Sequence, residues 1–312
     1  METTENRPTE TGSQRERDIT DGQPSGDTTR EAVPEGWSAR RANIDADFKE
    51  EMADHYVAHD FLVESSQTPN HEQTVTSASI IVNPGTTPNL VVQRVLAKVE
   101  KELAEHPGQG APHIIWYTPG ALIPATLRDA RVNNKLANQS LMRSASRLYL
   151  FPGLVDPDRE MVLGEEAVDF IKRQQSTCFT YALLSAYAFD IRTGTVFFFF
   201  PEEVQLQKAV ALREATHKFL FLEPAKFRRD GNPGYGIRDL LDSARASVTI
   251  YTVSSKQDSK MIEDQFKELG EKFLDVEGKD KPGAKTLRLV RVGEAKSNIT
   301  VTGTLKKQRA RT

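Results

Sequence analysis

The chain has 312 residues, a formal net charge of −3, 27% charged residues and a mean hydropathy of −0.50. This length allows one large domain or two ordinary ones, and a body of this size buries a substantial core. No apolar run approaches the roughly 18 residues of a membrane span, and no basic and then apolar segment opens the chain, so we expect a cytoplasmic protein without membrane insertion. A single cysteine excludes an internal disulfide, and the weak net charge argues against coating nucleic acid through charge alone.

The two ends differ in composition from the middle. Residues 1–45 contain few apolar side chains and cannot offset their conformational entropy, so we expect a disordered polar leader. After residue 278, two short alternating runs separated by residues 293–297 predict a β-hairpin, and a basic tail follows. The sequence therefore predicts a leader (1–45), an α/β domain (46–277) and a C-terminal extension (278–312).

Between about residues 45 and 276, short apolar strands alternate with amphipathic helices. Apolar residues at helical spacing predict helices over 47–62, from 88 to about 103, and over 165–175, 202–215, 237–244 and 259–269. A further helical stretch follows Gly120 and ends at Leu127. Strands are predicted over 79–83, 113–117, 147–151, 178–184, 218–222 and 248–253. This alternation predicts a mainly parallel sheet with helices on both faces.

Two apolar features allow more than one interpretation. The four phenylalanines at 197–200 form a buried strand, a pocket wall or an oligomer contact, and core packing is the default for such residues. Cys178 falls in an apolar strand, which predicts a buried thiol.

The turn after the first predicted strand is the strongest candidate for a ligand site. Asn83, Pro84 and Gly85 are followed by Thr86 and Thr87, directly before a helix. Ligands bind beyond the carboxyl ends of strands in open α/β sheets, and a helix N-terminus favours an anion such as a phosphate or carboxylate. The structural alternative is that Gly85 turns the chain and Thr87 caps a helix that has Pro88 at its first position.

Other strand ends supply further candidates. Gly153 ends a strand and Gly164 opens a helix, while Lys226 lies on a loop after the strand at 218–222. Lys208 lies inside the helix that begins near Pro201. A lysine serves phosphate as a point charge, but each lysine also fits a solvated surface.

Metal and catalytic patterns are weak. His55 and His59 share a helix face, but no third ligand has suitable spacing, so an ordinary polar face is the better prediction. The sequence contains no nucleophile elbow, phosphate-binding loop or dinucleotide motif in the required context. We therefore predict no cofactor, no metal site and no catalytic residue.

In the order and spacing of these turns, the chain resembles the C-terminal effector-sensing domain of DeoR/GlpR-type repressors of sugar metabolism. The resemblance runs from about residue 49 to 253. Residues 81–87 are similar to a strand followed by Gly-Thr-Thr, and Thr118 lies at a matching strand end. Residues 150–156 and 163–167 resemble a Gly-Gly turn followed by a Gly-x-x-Ala pattern, and residues 201–215 and 222–227 resemble a helix and a loop that each carry a lysine.

The resemblance implies a Rossmann-like sensor domain related to ribose-5-phosphate isomerase and the CoA transferases, with a phosphorylated sugar or similar metabolite as its ligand. The implied ligand-binding residues are Asn83, Gly85, Thr86, Thr87, Thr118, Gly153, Gly164, Lys208 and Lys226.

The chain departs from that family in three places. The polar leader stands where the family has its helix-turn-helix, so we do not expect direct operator binding. Pro152 replaces the first glycine of the Gly-Gly turn, and Glu223-Pro224-Ala225 replaces the serine-rich part of the lysine loop.

From the sequence we therefore expect a sensor of a phosphorylated metabolite that acts through self-association or a protein partner. One alternative is a sugar-phosphate isomerase, for which Glu165, Glu202 or Glu223 is a candidate base. Another is a scaffold protein with a degenerate pocket.

Overall fold

The computed structural model describes residues 45–61, 77–105, 112–133, 146–174, 177–253, 259–293 and 296–307. All of them fall within the unit Gly36–Thr312. The predicted leader and the end of the predicted basic tail lie outside the described residues. None of the helices in the described ranges is both long and apolar enough to cross a membrane.

Helices and strands alternate along most of the described chain. In order they are α1 (Ala46–His59), β1 (Ser77–Val82), α2 (Thr86–Glu105), β2 (His113–Thr118), α3 (Leu122–Asn133), β3 (Ser146–Leu150), β4 (Leu154–Asp156), β5 (Met161–Leu163), α4 (Glu165–Arg173), β6 (Phe179–Ser185), β7 (Ala188–Asp190), β8 (Thr195–Phe198), α5 (Pro201–Ala211), β9 (Ala215–Phe221), β10 (Asn232–Gly236), α6 (Ile237–Ser243), β11 (Ala244–Val253), α7 (Ser259–Phe273), β12 (Leu274–Asp275), β13 (Lys285–Val292) and β14 (Ser297–Leu305). Single 3-10 turns lie at Pro224–Lys226 and Val276–Gly278.

The centre of the fold is a nine-stranded sheet in the order β12-β14-β13-β11-β9-β6-β1-β2-β3. The seven strands from β13 to β3 are all paired in parallel, and β14 pairs antiparallel with β13. Ile81 of β1 lies opposite Tyr117 of β2 and Ala182 of β6, which fixes the register at the middle of the sheet. The predicted α/β, Rossmann-like architecture is confirmed.

Both faces of the sheet are buried, which explains why its strands are nearly continuous apolar runs. Ile80 and Val82 pack in a cluster with side chains of α1, α2 and α3, whereas Ile81 between them packs in a second cluster with side chains of α4 to α7. Successive side chains of a strand point to opposite faces, so β1 contributes to both clusters.

The chain reverses its direction across the sheet between β1 and β6. From β1 it moves through β2 to the edge strand β3, and it then returns to β6 on the other side of β1. From there it continues through β9 and β11 to β13. The carboxyl ends of β1 and β6 therefore flank a topological switch point, which is the usual ligand position in such sheets.

The C-terminal segment after residue 278 is part of this sheet. β13 and β14 pair antiparallel across the turn that follows Val292, and β13 also pairs with β11 over seven residues from Ser247 to Val253. The hairpin expected from the alternating pattern is therefore present, and it extends the central sheet.

Two small sheets were not predicted from the sequence. β4 and β5 form a hairpin, and β7, β8 and β10 form a three-stranded antiparallel sheet. The aromatic run divides at the end of β8: Phe197 and Phe198 are buried in the core, whereas Phe199 is 43% exposed. The expectation of core packing is thus confirmed for the first two phenylalanines and wrong for Phe199.

Two local expectations were wrong. Helix α2 begins at Thr86 rather than Pro88, so Thr87 lies inside its first turn and is not the cap. Cys178 is half-buried and precedes β6, because that strand begins one residue later, at Phe179.

Candidate functional site

A cleft lies at the topological switch point, beyond the carboxyl ends of β1 and β6. It consists of two adjoining hollows that share Pro84, Gly85, Thr86, Glu203 and Gln207. The β6 hollow is also lined by Ser185 at the end of β6 and by Lys226, and the β2 hollow is also lined by Asn83, Gly120 and Glu160. Their volumes are about 50 Å³ and 60 Å³, which is room for roughly four water-sized groups in each. The cleft thus suits a small polar molecule.

Gly85 brings the backbone close to the neighbouring strand at the floor of the cleft. Its φ of +154° lies outside the range of most side-chain-bearing residues, and a Cβ atom there would lie 2.6 Å from the Ser185 hydroxyl. The Gly85 carbonyl accepts the first helical hydrogen bond of α2 from the Asn89 N–H at 3.1 Å. The first turn of α2 contains no acidic side chain, so its N–H groups keep their preference for an anion.

A buried ion pair stands beside this helix end. The Glu223 carboxylate is 3% exposed, accepts a hydrogen bond of 2.7 Å from the Thr87 hydroxyl and pairs with the Lys226 ammonium. Burial alone would raise the pKa of Glu223, but the Lys226 charge and the hydrogen bonds from Lys226 and Thr87 outweigh it and lower that pKa. Thr87 and Lys226 thus hold a carboxylate of the chain itself next to the expected anion site.

Thr118 fixes the end of β2 against the end of β1. Its hydroxyl donates to the Val82 carbonyl at 2.9 Å and accepts from the Gly120 N–H at 2.9 Å. The side chain is fully buried. Its contribution is therefore to fix the position of Gly120, which lines the β2 hollow.

Two buried amide side chains at the cleft have polar atoms without a hydrogen-bond partner among the described residues. Asn83 is 1% exposed, and both its Nδ2 and its Oδ1 are unpartnered; Gln207 is 4% exposed, and its Oε1 is unpartnered. Buried polar atoms in folded proteins are normally paired, so these atoms are available to hydrogen-bond a molecule that enters the cleft.

The outer wall of the β6 hollow is aromatic. Tyr187, Phe199 and Phe200 pack edge to face, with ring centroids 5.0 Å and 4.6 Å apart. The Arg159 guanidinium lies 3.9 Å from the centre of the Phe200 ring and forms an ion pair with Asp156 at 3.3 Å. Of the three interpretations of the aromatic run, its second half fits the pocket wall.

Compared with known proteins, the sequence matches no protein-family model and no curated protein. The likeness to DeoR-type sensor domains therefore stays a prediction.

Four of the residues expected at the site lie outside the two hollows, and one of them is Thr118, which bonds to the Gly120 of the β2 hollow without lining it. Gly153 and Gly164 flank the β4–β5 hairpin, where their positive φ values of 139° and 109° serve the chain path. Lys208 is exposed on α5, and the neighbouring Gln207 faces the cleft in its place. Asn83, Gly85, Thr86, Thr87 and Lys226 are brought together as expected, because each lies just beyond the carboxyl end of a parallel strand.

Sequence reasoning missed Glu160 and Gln207. Glu160 lies in the turn of the β4–β5 hairpin, and Gln207 lies in the middle of α5. No local motif marks either position, and only the burial of Gln207 on the inner face of α5 was accessible from helical periodicity.

The histidine pair forms a separate polar cluster on α1. The rings of His55 and His59 are 4.3 Å apart, and burial followed by the charge of His59 lowers the pKa of His55. His55 also lies 3.4 Å from the Tyr251 hydroxyl, which donates to Asp60. Among the described residues there is no group of three or more metal-ligating side chains.

Proposed function

We propose that the chain is a sensor of a small phosphorylated metabolite, and that the ligand occupies the cleft between β1 and β6. The observation that carries this proposal is the position of the cleft: it lies at the switch point of a parallel sheet and opens on the N-terminus of the 20-residue helix α2. Parallel α/β sheets bind ligands at such a point, and helix N-termini stabilise phosphate there.

The phosphate group is assigned to the β6 hollow. Gly85 and Thr86 offer backbone N–H groups at the start of α2, and Lys226 adds a cation on the facing wall. Glu223 already neutralises part of the Lys226 charge, which favours moderate affinity and a ligand that is readily released. Such reversibility suits a sensor that acts through self-association or a cytoplasmic protein partner.

The positions of the candidate bases support the alternative, a sugar-phosphate isomerase, less well than they support a sensor. Glu165 and Glu202 are exposed, and neither lines the cleft. Glu223 is buried against Lys226, and the lowered pKa of its carboxyl makes it a weaker base. A sensor therefore accounts for the cleft better than an isomerase does.

The test is calorimetric titration of the full chain with inorganic phosphate and a panel of sugar phosphates. We expect at least one sugar phosphate to bind. Thr86→Val should raise its dissociation constant about tenfold, because the Thr86 hydroxyl no longer donates a hydrogen bond to the charged phosphate. Thr300→Val, at an exposed position of β14, is the matched control.

Lys226 requires a paired variant, because its removal alone would leave Glu223 buried without a counter-charge. We therefore expect Glu223→Gln/Lys226→Gln to fold and to lose phosphate affinity, with Lys208→Gln as the control. Absence of binding by every phosphate compound would contradict the proposal and leave the scaffold alternative. Turnover of a bound sugar phosphate would identify an isomerase instead.

A further inference from the structure

The β2 hollow is lined by hydrogen-bond acceptors that the chain itself does not use. Asn83 Oδ1, Gln207 Oε1 and Glu160 Oε2 are all buried and have no hydrogen-bond partner among the described residues, and the residues that carry them all line this hollow. Among the described residues that line this hollow, the unpartnered buried donor is Asn83 Nδ2. The local surplus of acceptors calls for a ligand group that donates hydrogen bonds.

Glu160 is held in an unusual backbone conformation at this hollow. Its φ is +52°, a left-handed value that is uncommon for a residue with a long side chain. The Glu160 carbonyl accepts from the Ala121 N–H at 2.8 Å, and the Val162 N–H donates to the Pro119 carbonyl at 2.7 Å. These two bonds tie the hairpin to the loop after β2, so the surrounding structure maintains a conformation that such residues otherwise avoid.

The arginine next to Glu160 has its charge directed elsewhere. The Arg159 guanidinium pairs with Asp156 at 3.3 Å, stacks on Phe200 and lies 4.0 Å from Glu202. The chain thus provides Arg159 with its own partners while the Glu160 Oε2 atom has none among the described residues. The Arg159 guanidinium and the Glu160 carboxylate therefore both line the β2 hollow, and the ion pairs of Arg159 are with Asp156 and Glu202.

We infer that the β2 hollow is a donor-recognition subsite, in which Asn83, Glu160 and Gln207 accept hydrogen bonds from hydroxyl or amine groups of the ligand. The inference rests on the proposed function, because it assigns this hollow to the other end of the molecule whose phosphate lies at α2. The two hollows share Pro84, Gly85 and Thr86, so one small molecule spans both. A site that hydrogen-bonds ligand donors discriminates strongly against analogues that lack them.

The test compares three small phosphate monoesters that carry different hydrogen-bond donors. Ethyl phosphate has none beyond the phosphate, glycerol 3-phosphate adds one carbon and two hydroxyls, and ethanolamine phosphate adds an amine that is protonated at neutral pH. We expect one of the two donor-bearing esters to bind at least tenfold more tightly than ethyl phosphate, and the better of them identifies the donor as hydroxyl or amine.

Matched variants then locate the preference. Gln207→Met removes one buried acceptor and Glu160→Gln removes the charge of another. We expect each to reduce the preference, taken as the ratio of the dissociation constants of the two esters for the same variant, to threefold or less. Gln205→Met and Glu165→Gln are controls at exposed positions, in the same helix α5 and at the start of α4. A preference that persists in both cleft variants would overturn the inference, as would equal binding of all three esters.

A phosphate-free arm separates this inference from the proposed function. Erythritol and ethylamine carry the donors alone, and their binding is followed by the amide NMR signals of Glu160 and Gln207. If these signals shift while no phosphate compound binds, the subsite stands and the phosphate proposal falls. A second outcome is that ethyl phosphate binds as tightly as the other two esters, while neither erythritol nor ethylamine shifts these signals. In that case the subsite falls and the phosphate proposal stands. If nothing binds, both are contradicted.

Discussion

Lys218 is a fully buried lysine in the middle of β9. Its ammonium donates to the Ala211 carbonyl at 2.6 Å and to the Ser243 hydroxyl at 2.5 Å, at the C-terminal ends of α5 and α6. Burial, followed by the nearby Lys285 and Arg213 charges, lowers the pKa of Lys218 from 10.5 to about 7. A cation here interacts favourably with the Ala211 carbonyl at the C-terminus of α5, at the cost of being removed from water.

This lowered pKa predicts a stability that rises with pH. Between pH 7 and 10.5 the unfolded chain holds a proton on Lys218 that the folded chain has lost, so the free energy of unfolding increases by up to about 1.4 kcal/mol per pH unit. Urea unfolding at pH 7 and pH 9 should therefore show a gain about 2 kcal/mol larger in the native sequence than in Lys218→Met. An equal increase in the free energy of unfolding in both proteins would contradict the role assigned to Lys218. Lys208→Met is the control for the loss of an exposed lysine.

The Glu223–Lys226 pair predicts strongly non-additive substitutions. Lys226→Gln leaves a carboxylate that is 3% exposed without its cation, and we expect a loss of about 3–5 kcal/mol in the free energy of unfolding. Glu223→Gln/Lys226→Gln should lose less than half of that, because no buried charge remains unpaired. A double-mutant cycle by urea unfolding measures the coupling, and additive losses would show that the pair is not coupled.

At the scale of the elements, Gly153 serves the β4–β5 hairpin. Its φ is +139°, and a Cβ atom would lie 2.5 Å from the Leu163 carbonyl oxygen, which as a backbone atom cannot move aside alone. Gly153→Ala should therefore lower the free energy of unfolding by about 3 kcal/mol. Gly283→Ala is the control, because Gly283 has a φ of +81° with no atom within 4 Å and should lose only about 1 kcal/mol. Equal losses would mean that backbone strain alone sets the effect.

The same hairpin shows where prediction from the sequence stops. Periodicity located β1, β2, β6, β9 and β11 because each contains a run of apolar residues that is buried between the two helical layers. β4 and β5 have three residues each, and their position depends on bonds between residues 119–121 and 160–162, about forty residues apart. Local pattern contains no signal for such a contact, so Glu160 was missed.

Helix α5 illustrates a smaller error of the same kind. The sequence indicated a polar residue of this helix at the site and selected Lys208 for its charge. Successive residues of a helix differ by about 100° in direction, so the one before it, Gln207, faces the cleft while Lys208 faces solvent. Which face of α5 is buried depends on its packing against the sheet.

At the scale of the whole molecule, the strand order brings distant turns together. The turn after β1 precedes the end of β6 by about a hundred residues and the loop after β9 by about 140, yet these segments meet because β9, β6 and β1 are adjacent and parallel. The alternation of strands and helices predicted this convergence, since parallel strands present their carboxyl ends at one edge. It did not predict the pairing of Lys226 with Glu223, which changes the charge of the site.

If a ligand binds in the cleft between β1 and β6, its binding stabilises the folded chain as a whole. A ligand present at 100 times its dissociation constant raises the free energy of unfolding by about 2.7 kcal/mol if it binds only the folded chain. Thermal unfolding with a bound sugar phosphate should shift upward in the native sequence and shift less in Thr86→Val. An equal shift in both would place the ligand elsewhere.

The most direct test of the account is to map the binding of a sugar phosphate, such as ribose 5-phosphate, by amide NMR of the full chain. We expect the largest signal changes at Gly85, Thr86 and Thr87, at the start of α2, and smaller ones at Gln207. Binding with changes confined to other regions, or no change for any compound of the phosphate panel, would contradict it.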